Sequence, residues 1–167
     1  MQKILIYGVG NPFRCDDSVG LKVAEELKKC IKRTDVHVKS GSIDGLAMLD
    51  EIMEYDKIIF IDSIKTKKGK PGDIYKIKLD PLKKTLSLSA SHGIDFVNAL
   101  RLGKKLGYKM PRNIDIYAIE IENNISFSEN CTDKVKASIS KVVKNIINDI
   151  NREKGINRCA SSLEIEL

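Results

Sequence analysis

Val19, Val23, Leu27 and Ile31 recur at every fourth position, with Ala24 and Cys30 beside them, while Lys22, Glu25, Glu26, Lys28, Lys29 and Lys32 fall mostly elsewhere. Side chains four apart share one face of a helix, so this pattern predicts an amphipathic helix starting at Asp17. Ahead of it, residues 3–7 form a short apolar run closed by Gly8, which suits a buried strand. A second strand is expected over 36–39, ended by the turn-prone Ser40-Gly41-Ser42, with a short helix over 45–53. The plainest buried strand is 57–61, which carries Ile58-Ile59-Phe60-Ile61 and ends on Asp62. Beyond the Pro71-Gly72 turn, residues 73–79 alternate, which predicts a strand with one exposed face at a sheet edge. Polar residues 87–91 lead into His92-Gly93 and a third helix marked by Ile94, Val97 and Leu100. Residues 114–121 read as a fifth strand, and Val135, Ile139, Val142, Val143, Ile146, Ile147 and Ile150 line one face of a long last helix.

Strands and helices thus alternate, which predicts an α/β fold: a three-layer sandwich with a mostly parallel, twisted five-stranded sheet and helices on both faces. No repeat, linker or low-complexity block interrupts the pattern. Residues 1–151 are expected to form one domain, and 152–167, where the pattern fades, a mobile tail.

Composition narrows the function classes. Hydrophobic residues make up 42% and charged residues 31% of 167, a soluble globular balance, and with no Trp the core must be built from Ile, Val and Leu. The net charge of +6 raises the question of nucleic acid. However, neither the Lys65, Lys67, Lys68, Lys70 group nor the Arg101, Lys104, Lys105, Lys109, Arg112 group has aromatics interleaved for base stacking, so a solvated lysine-rich surface is expected. Cys15, Cys30, Cys131 and Cys159 form no C-x-x-C pair and no zinc-like spacing. No apolar run reaches the ~20 residues of a membrane span. Met1-Gln2-Lys3 runs directly into Ile4-Leu5-Ile6, so no secretory leader is expected, and the chain is read as a cytoplasmic monomer that binds neither membrane nor nucleic acid.

In open α/β sheets, ligands gather at the carboxyl ends of strands, and three polar residues fall there: Asp17 after the first strand, Asp62 ending the third, and His92 opening the third helix. Two carboxylates and an imidazole suit a borderline divalent ion such as nickel, zinc or cobalt, or general acid–base work without metal. Each also has a plainer explanation. Asp16 and Asp17 suit a helix cap, Asp62 a turn, and His92 a cap or the surface. The other histidine, His37, lies within a predicted strand. The loop Gly8-Val9-Gly10-Asn11-Pro12-Phe13 lacks the third glycine of a dinucleotide fingerprint, and no acid closes the second strand, so its glycines are assigned to a tight turn beneath Asp17. A thiol enzyme on Cys15 is disfavoured by the adjacent Asp16 and Asp17, which oppose thiolate formation.

Gly8-Val9-Gly10-Asn11-Pro12-Phe13-Arg14-Cys15-Asp16-Asp17-Ser18-Val19-Gly20 resembles the opening of the hydrogenase maturation endopeptidases, which runs strand, G-x-G-N, D-[D/E], x-x-G, helix. The spacing to Ile61-Asp62-Ser63 and Ser91-His92-Gly93 is similar to that family as well, and the resemblance spans residues 3–151. It implies removal of a C-terminal extension from the large-subunit precursor of a nickel–iron hydrogenase after nickel insertion, by an enzyme often grouped with aspartic endopeptidases. The family's nickel-contacting acid, acid and histidine fall on Asp17, Asp62 and His92, which are thereby implied as both catalytic and metal-contacting. The nickel is supplied by the precursor rather than held at rest. One departure stands out: where the family carries D-x-G-T-x-G, this chain reads Ser40-Gly41-Ser42-Ile43-Asp44-Gly45, which is expected to alter the choice of client if that loop grips the substrate. The competing readings are a non-catalytic nickel-binding chaperone of hydrogenase assembly and a small nucleotide- or nucleic-acid-binding module.

Overall fold

The computed structural model describes residues 2–42, 47–79 and 93–152. Its elements run β1 (Ile4–Val9), a 3-10 turn (Cys15–Ser18), α1 (Val19–Cys30), β2 (Val36–Gly41), α2 (Ala47–Ile52), β3 (Lys57–Ile64), β4 (Ile74–Leu79), α3 (Gly93–Lys105), β5 (Asn113–Glu120) and α4 (Asp133–Arg152). The sheet order is β2-β1-β3-β5-β4. β2, β1, β3 and β5 pair in parallel, and β4 runs antiparallel to β5 at the edge. The alternating segment 73–79 is therefore an edge strand, as its half-exposed pattern predicts.

Side-chain alternation sorts the strands onto two faces. Ile4 and Ile6 of β1, Ile59 and Ile61 of β3, and Tyr117 and Ile119 of β5 lie under α1 and α4, packed against Val23, Leu27, Val135, Val142 and Ile146. Leu5, Tyr7, Ile58, Phe60, Ile114 and Ile116 point the other way, onto Met48, Leu49 and Ile52 of α2 and Ala99 and Leu100 of α3. Both faces of the middle strands are thus covered, which is why those strands read as continuous apolar runs rather than alternating ones.

Several boundaries differ from the sequence expectation for physical reasons. Gly8 does not end β1, which continues to Val9. A Cβ on Gly8 would stand 2.2 Å from the Gly20 carbonyl oxygen and 2.8 Å from the Ala24 Cβ, so its hydrogen serves the close packing of α1 on the strand. Asp17 lies in the 3-10 turn before α1, and Ile31 is extended just past the helix end. β3 runs past Asp62 to Ile64 because β5 keeps pairing with it as far as Ile64↔Glu120, whereas its pairing with β1 ends at Gly8↔Ile61. The expected short helix begins at Ala47; Ile43, Asp44 and Gly45 lie outside the described residues, as do residues 80–92 and 153–167, the expected tail save Arg152, which closes α4.

An ionic network, buried at Lys57 and Asp115 and reaching the surface at Lys76, lies at the end of the sheet where β3 and β5 begin. Lys57 Nζ stands 2.9 Å from Asp115 Oδ2, with both side chains almost fully buried. Asp115 also faces Lys76, which pairs with Asp149, and the Tyr117 hydroxyl donates to the same Asp149 carboxylate. Burial alone would raise the Asp149 pKa. The hydrogen bonds from Lys76 and Tyr117, with the charges of Lys76 and Lys57, outweigh it and hold the carboxyl below its usual range. A depressed carboxylate stabilises the fold above the unfolded-state value and loses that contribution as pH falls through its folded value. Asp149→Asn is therefore expected to lower stability by about 1–2 kcal/mol at neutral pH. The difference from wild type should begin to shrink as the pH falls below the ordinary carboxylate range, read as urea midpoints over a pH series from neutral into acid.

Candidate active site

The strand order reverses between β1 and β3, since the chain leaves β1 toward β2 and later returns to β3 on the other side. The crevice at the carboxyl ends of these two strands is where open α/β sheets bind ligands. Asp17 and Asp62 both come to this rim.

Asp17 reaches it through the loop after β1. A Cβ on Gly10 would lie 2.0 Å from the Asp17 carbonyl oxygen, so glycine is what lets the backbone fold this tightly beneath the acid, as the sequence suggests. The Asp17 carboxylate does not cap a helix. Its Oδ2 accepts the Asn11 N–H at 3.1 Å and its Oδ1 accepts the Ser63 hydroxyl at 2.8 Å. Neither the 3-10 turn nor α1 has a side-chain cap. Capping is thus the wrong explanation for this residue.

Asp62 lies inside β3, opposite Ala118 of β5, and so does not close a turn. Its Oδ1 accepts the Ser63 N–H at 2.8 Å. By alternation Asp62 follows Ile58 and Phe60 onto the α2 and α3 face, while Ser63 follows Ile59 and Ile61 onto the α1 face. The two aspartates therefore approach the rim from opposite faces of one strand. Ser63 ties them together, giving its backbone N–H to one and its hydroxyl to the other. His92, the residue before α3, lies outside the described residues. His37 sits in β2, with Nδ1 2.7 Å from the Tyr55 hydroxyl. Among the described residues no group of three or more His, Cys, Asp or Glu side chains is placed to hold a metal ion.

From the sequence, Asp17 is the candidate acid and Asp16 has no role beyond a cap; the structure gives Asp16 a distinct one. Asp16 is 0% exposed, against 5% for Asp17 and 7% for Asp62. Its carboxylate accepts the N–H groups of Glu122 (3.1 Å), Asn123 (2.9 Å) and Thr132 (2.6 Å) and the Thr132 hydroxyl (3.0 Å). It is an anchor that binds the Asp17 turn to the loop after β5. Glu120 does the same for the loop after β3, accepting the Thr66 N–H at 2.6 Å and hydroxyl at 3.0 Å. Ser63 and Asp16 were both visible as polar residues beside a candidate acid, but their partners lie 46 to 116 residues away. Cys15 is buried beside this anchor as a free thiol. Burial pushes the nearby Cys131 thiol up despite its contact with the Ser18 hydroxyl.

Comparison with known proteins decides the lineage. The family model described as hydrogenase maturation protease matches residues 21–149. The chain belongs to the hydrogenase maturation protease family. Its enzyme class is accordingly that of a hydrolase, an endopeptidase. The match starts just after the Gly8–Gly20 loop, so it is independent of the motif that first suggests this family. Over 156 residues the chain is 23% identical to the hydrogenase 2 maturation protease of Escherichia coli (strain K12), covering 92% of this chain and 93% of that one. The solved hydrogenase maturating endopeptidase HybD of E. coli superposes with a TM-score of 0.78 at 24% identity, covering 92% and 94% of the two chains. The [NiFe] hydrogenase maturation protease HycI of Thermococcus kodakarensis KOD1 gives 0.68 at 26% identity, covering 90% and 93%. The α/β sandwich with a mostly parallel five-stranded sheet is thus the maturation-protease fold. Among the described residues no helix is long and apolar enough to cross a membrane.

Proposed function

We propose that this maturation protease removes the C-terminal extension of a nickel-loaded hydrogenase large-subunit precursor, with Asp17, Asp62 and His92 meeting the nickel that the precursor carries. The observation that supports this most directly is the Ser63 link, which sets two carboxylates at the rim where the strand order reverses. Two oxygen donors and an imidazole suit a borderline divalent ion with positions left open. Such an ion near a peptide bond polarises the carbonyl or lowers the pKa of a bound water. In this reading the carboxylates orient that water. The fixed pair of acids, held by Asn11 and Ser63, spares the site reorganisation when the substrate arrives. Nickel therefore acts as recognition element and checkpoint: a precursor without it presents nothing for the acids to bind. The enzyme works in this proposal as a cytoplasmic monomer.

The test is incubation of the chain with nickel-loaded and nickel-free large-subunit precursor, followed by intact-mass measurement. The expected result is loss of a C-terminal peptide from the nickel-loaded form alone. Unchanged mass with stable complex formation would instead support a non-catalytic chaperone, and equal cleavage of both forms would remove nickel from the recognition step.

A further inference from the structure

The loop that carries Asp17 also carries Phe13, which is 48% exposed, and the loop after β5 carries Ile125 at 86% and Phe127 at 85%. Phe13 and Phe127 stack with centroids 5.7 Å apart and planes within 4° of parallel. Three of the six large hydrophobics exposed among the described residues thus gather on two neighbouring loops, beside the acids of the active-site rim. Exposed apolar side chains that cluster, rather than scatter, mark surfaces that another molecule covers.

These loops are not loose. Ser128 gives its N–H to the Phe13 carbonyl at 3.0 Å, and its own carbonyl takes the Cys15 N–H at 2.8 Å. Asn123 Oδ1 accepts the N–H groups of Ile125 and Ser126, both at 3.0 Å. Sealed Asp16 binds Asn123 and Thr132 on either side of the aromatic loop. The aromatic platform is therefore held in place before any partner arrives, which lowers the ordering cost of binding.

We infer that Phe13 and Phe127, with Ile125, form the docking platform for an apolar stretch of the precursor polypeptide as its scissile bond approaches Asp17 and Asp62. The occupant is argued from position: the platform is continuous with the rim of a peptidase whose substrate is a protein, and Phe13 stands four residues before Asp17 on one rigid loop. This inference rests on the assignment of the rim as the site of cleavage.

The test measures steady-state cleavage of nickel-loaded precursor by the full chain bearing Phe13→Ala, Phe127→Ala or both, with Asp17→Asn in parallel. Each single alanine variant is expected to raise KM about ten-fold, and the pair more, while Phe13→Leu and Phe127→Leu, which keep most but not all of the apolar area, raise it by no more than about three-fold. Circular dichroism and melting temperature identify any variant that fails to fold, and the leucine variants then carry the comparison through the graded loss of area, with Phe127→Met as a further step. If the alanine variants keep the wild-type KM while Asp17→Asn is inactive, the platform is overturned and the rim assignment stands. If KM rises but Asp17→Asn cleaves normally, the rim assignment fails and the platform remains as a substrate contact. Loss of self-association with no change in KM would make the patch a contact between copies and overturn the inference.

Discussion

Asp17→Asn is expected to slow release of the C-terminal peptide by about 10²–10⁴-fold while leaving the fold intact, the range over which a positioned acid or base acts. The substitution is nearly isosteric. An asparagine carbonyl oxygen still accepts the Ser63 hydroxyl in place of Oδ1, but the amide nitrogen then faces the Asn11 N–H, donor against donor. That mismatch costs on the order of 1 kcal/mol, small beside the stability of an ordinary domain. What disappears is the negative charge at the rim, and with it the means to hold a metal ion or to orient water. Asp62→Asn is expected to act similarly, because its carboxylate is joined to that of Asp17 through one serine. Timed mass spectrometry of the precursor, with melting curves of each variant, checks both. Normal processing by Asp17→Asn and Asp62→Asn at wild-type melting temperature would end the rim assignment.

A second large effect is expected at Asp16, on stability rather than chemistry. Asp16→Ala leaves the N–H groups of Glu122, Asn123 and Thr132 without the fully buried carboxylate that now binds them. An unsatisfied buried donor costs ~1–3 kcal/mol. Glu122 is exposed and Asn123 and Thr132 are half-buried, so water reaches the freed groups in part and the loss should be about 2–3 kcal/mol, still a sizeable share of the total for a domain of this kind. The urea midpoint should fall with little change in the slope. Asp16→Asn should fall between, since it keeps an oxygen for Thr132 but turns an amide toward the other two donors. Both variants should also process precursor poorly at temperatures where they remain folded, because the anchor fixes the turn that carries Asp17. A midpoint unchanged by Asp16→Ala would show that the loop after β5 is held by its other contacts.

The adjacent acids Asp16 and Asp17 therefore have separate duties, and this contrast shows how far the sequence reaches. In sequence they are one feature, a doubled aspartate at a helix start. In the fold, the 3-10 turn rotates one carboxylate into the loop after β5 and the other toward β3. The same holds for the Phe13 platform: Phe13 reads as a loop residue near a turn, and only the approach of Phe127, more than a hundred residues later, makes a surface of it.

The sequence by itself determined the layers of this protein and the end of the sheet at which its candidate acids lie. Hydrophobic spacing is a local property, set by helix and strand periods, and burial on both faces leaves the middle strands no other pattern. The edge position of β4, the α1 helix and the rim positions of Asp17 and Asp62 follow from it, whereas the antiparallel direction of β4 does not. The tertiary structure alone decided which polar atoms meet: that Ser63 spans two aspartates, that Asp16 is an anchor, that Gly8 is a packing contact and that β3 outlasts β1. Those outcomes depend on side-chain direction and on pairing between segments far apart in the chain, and no local period encodes them.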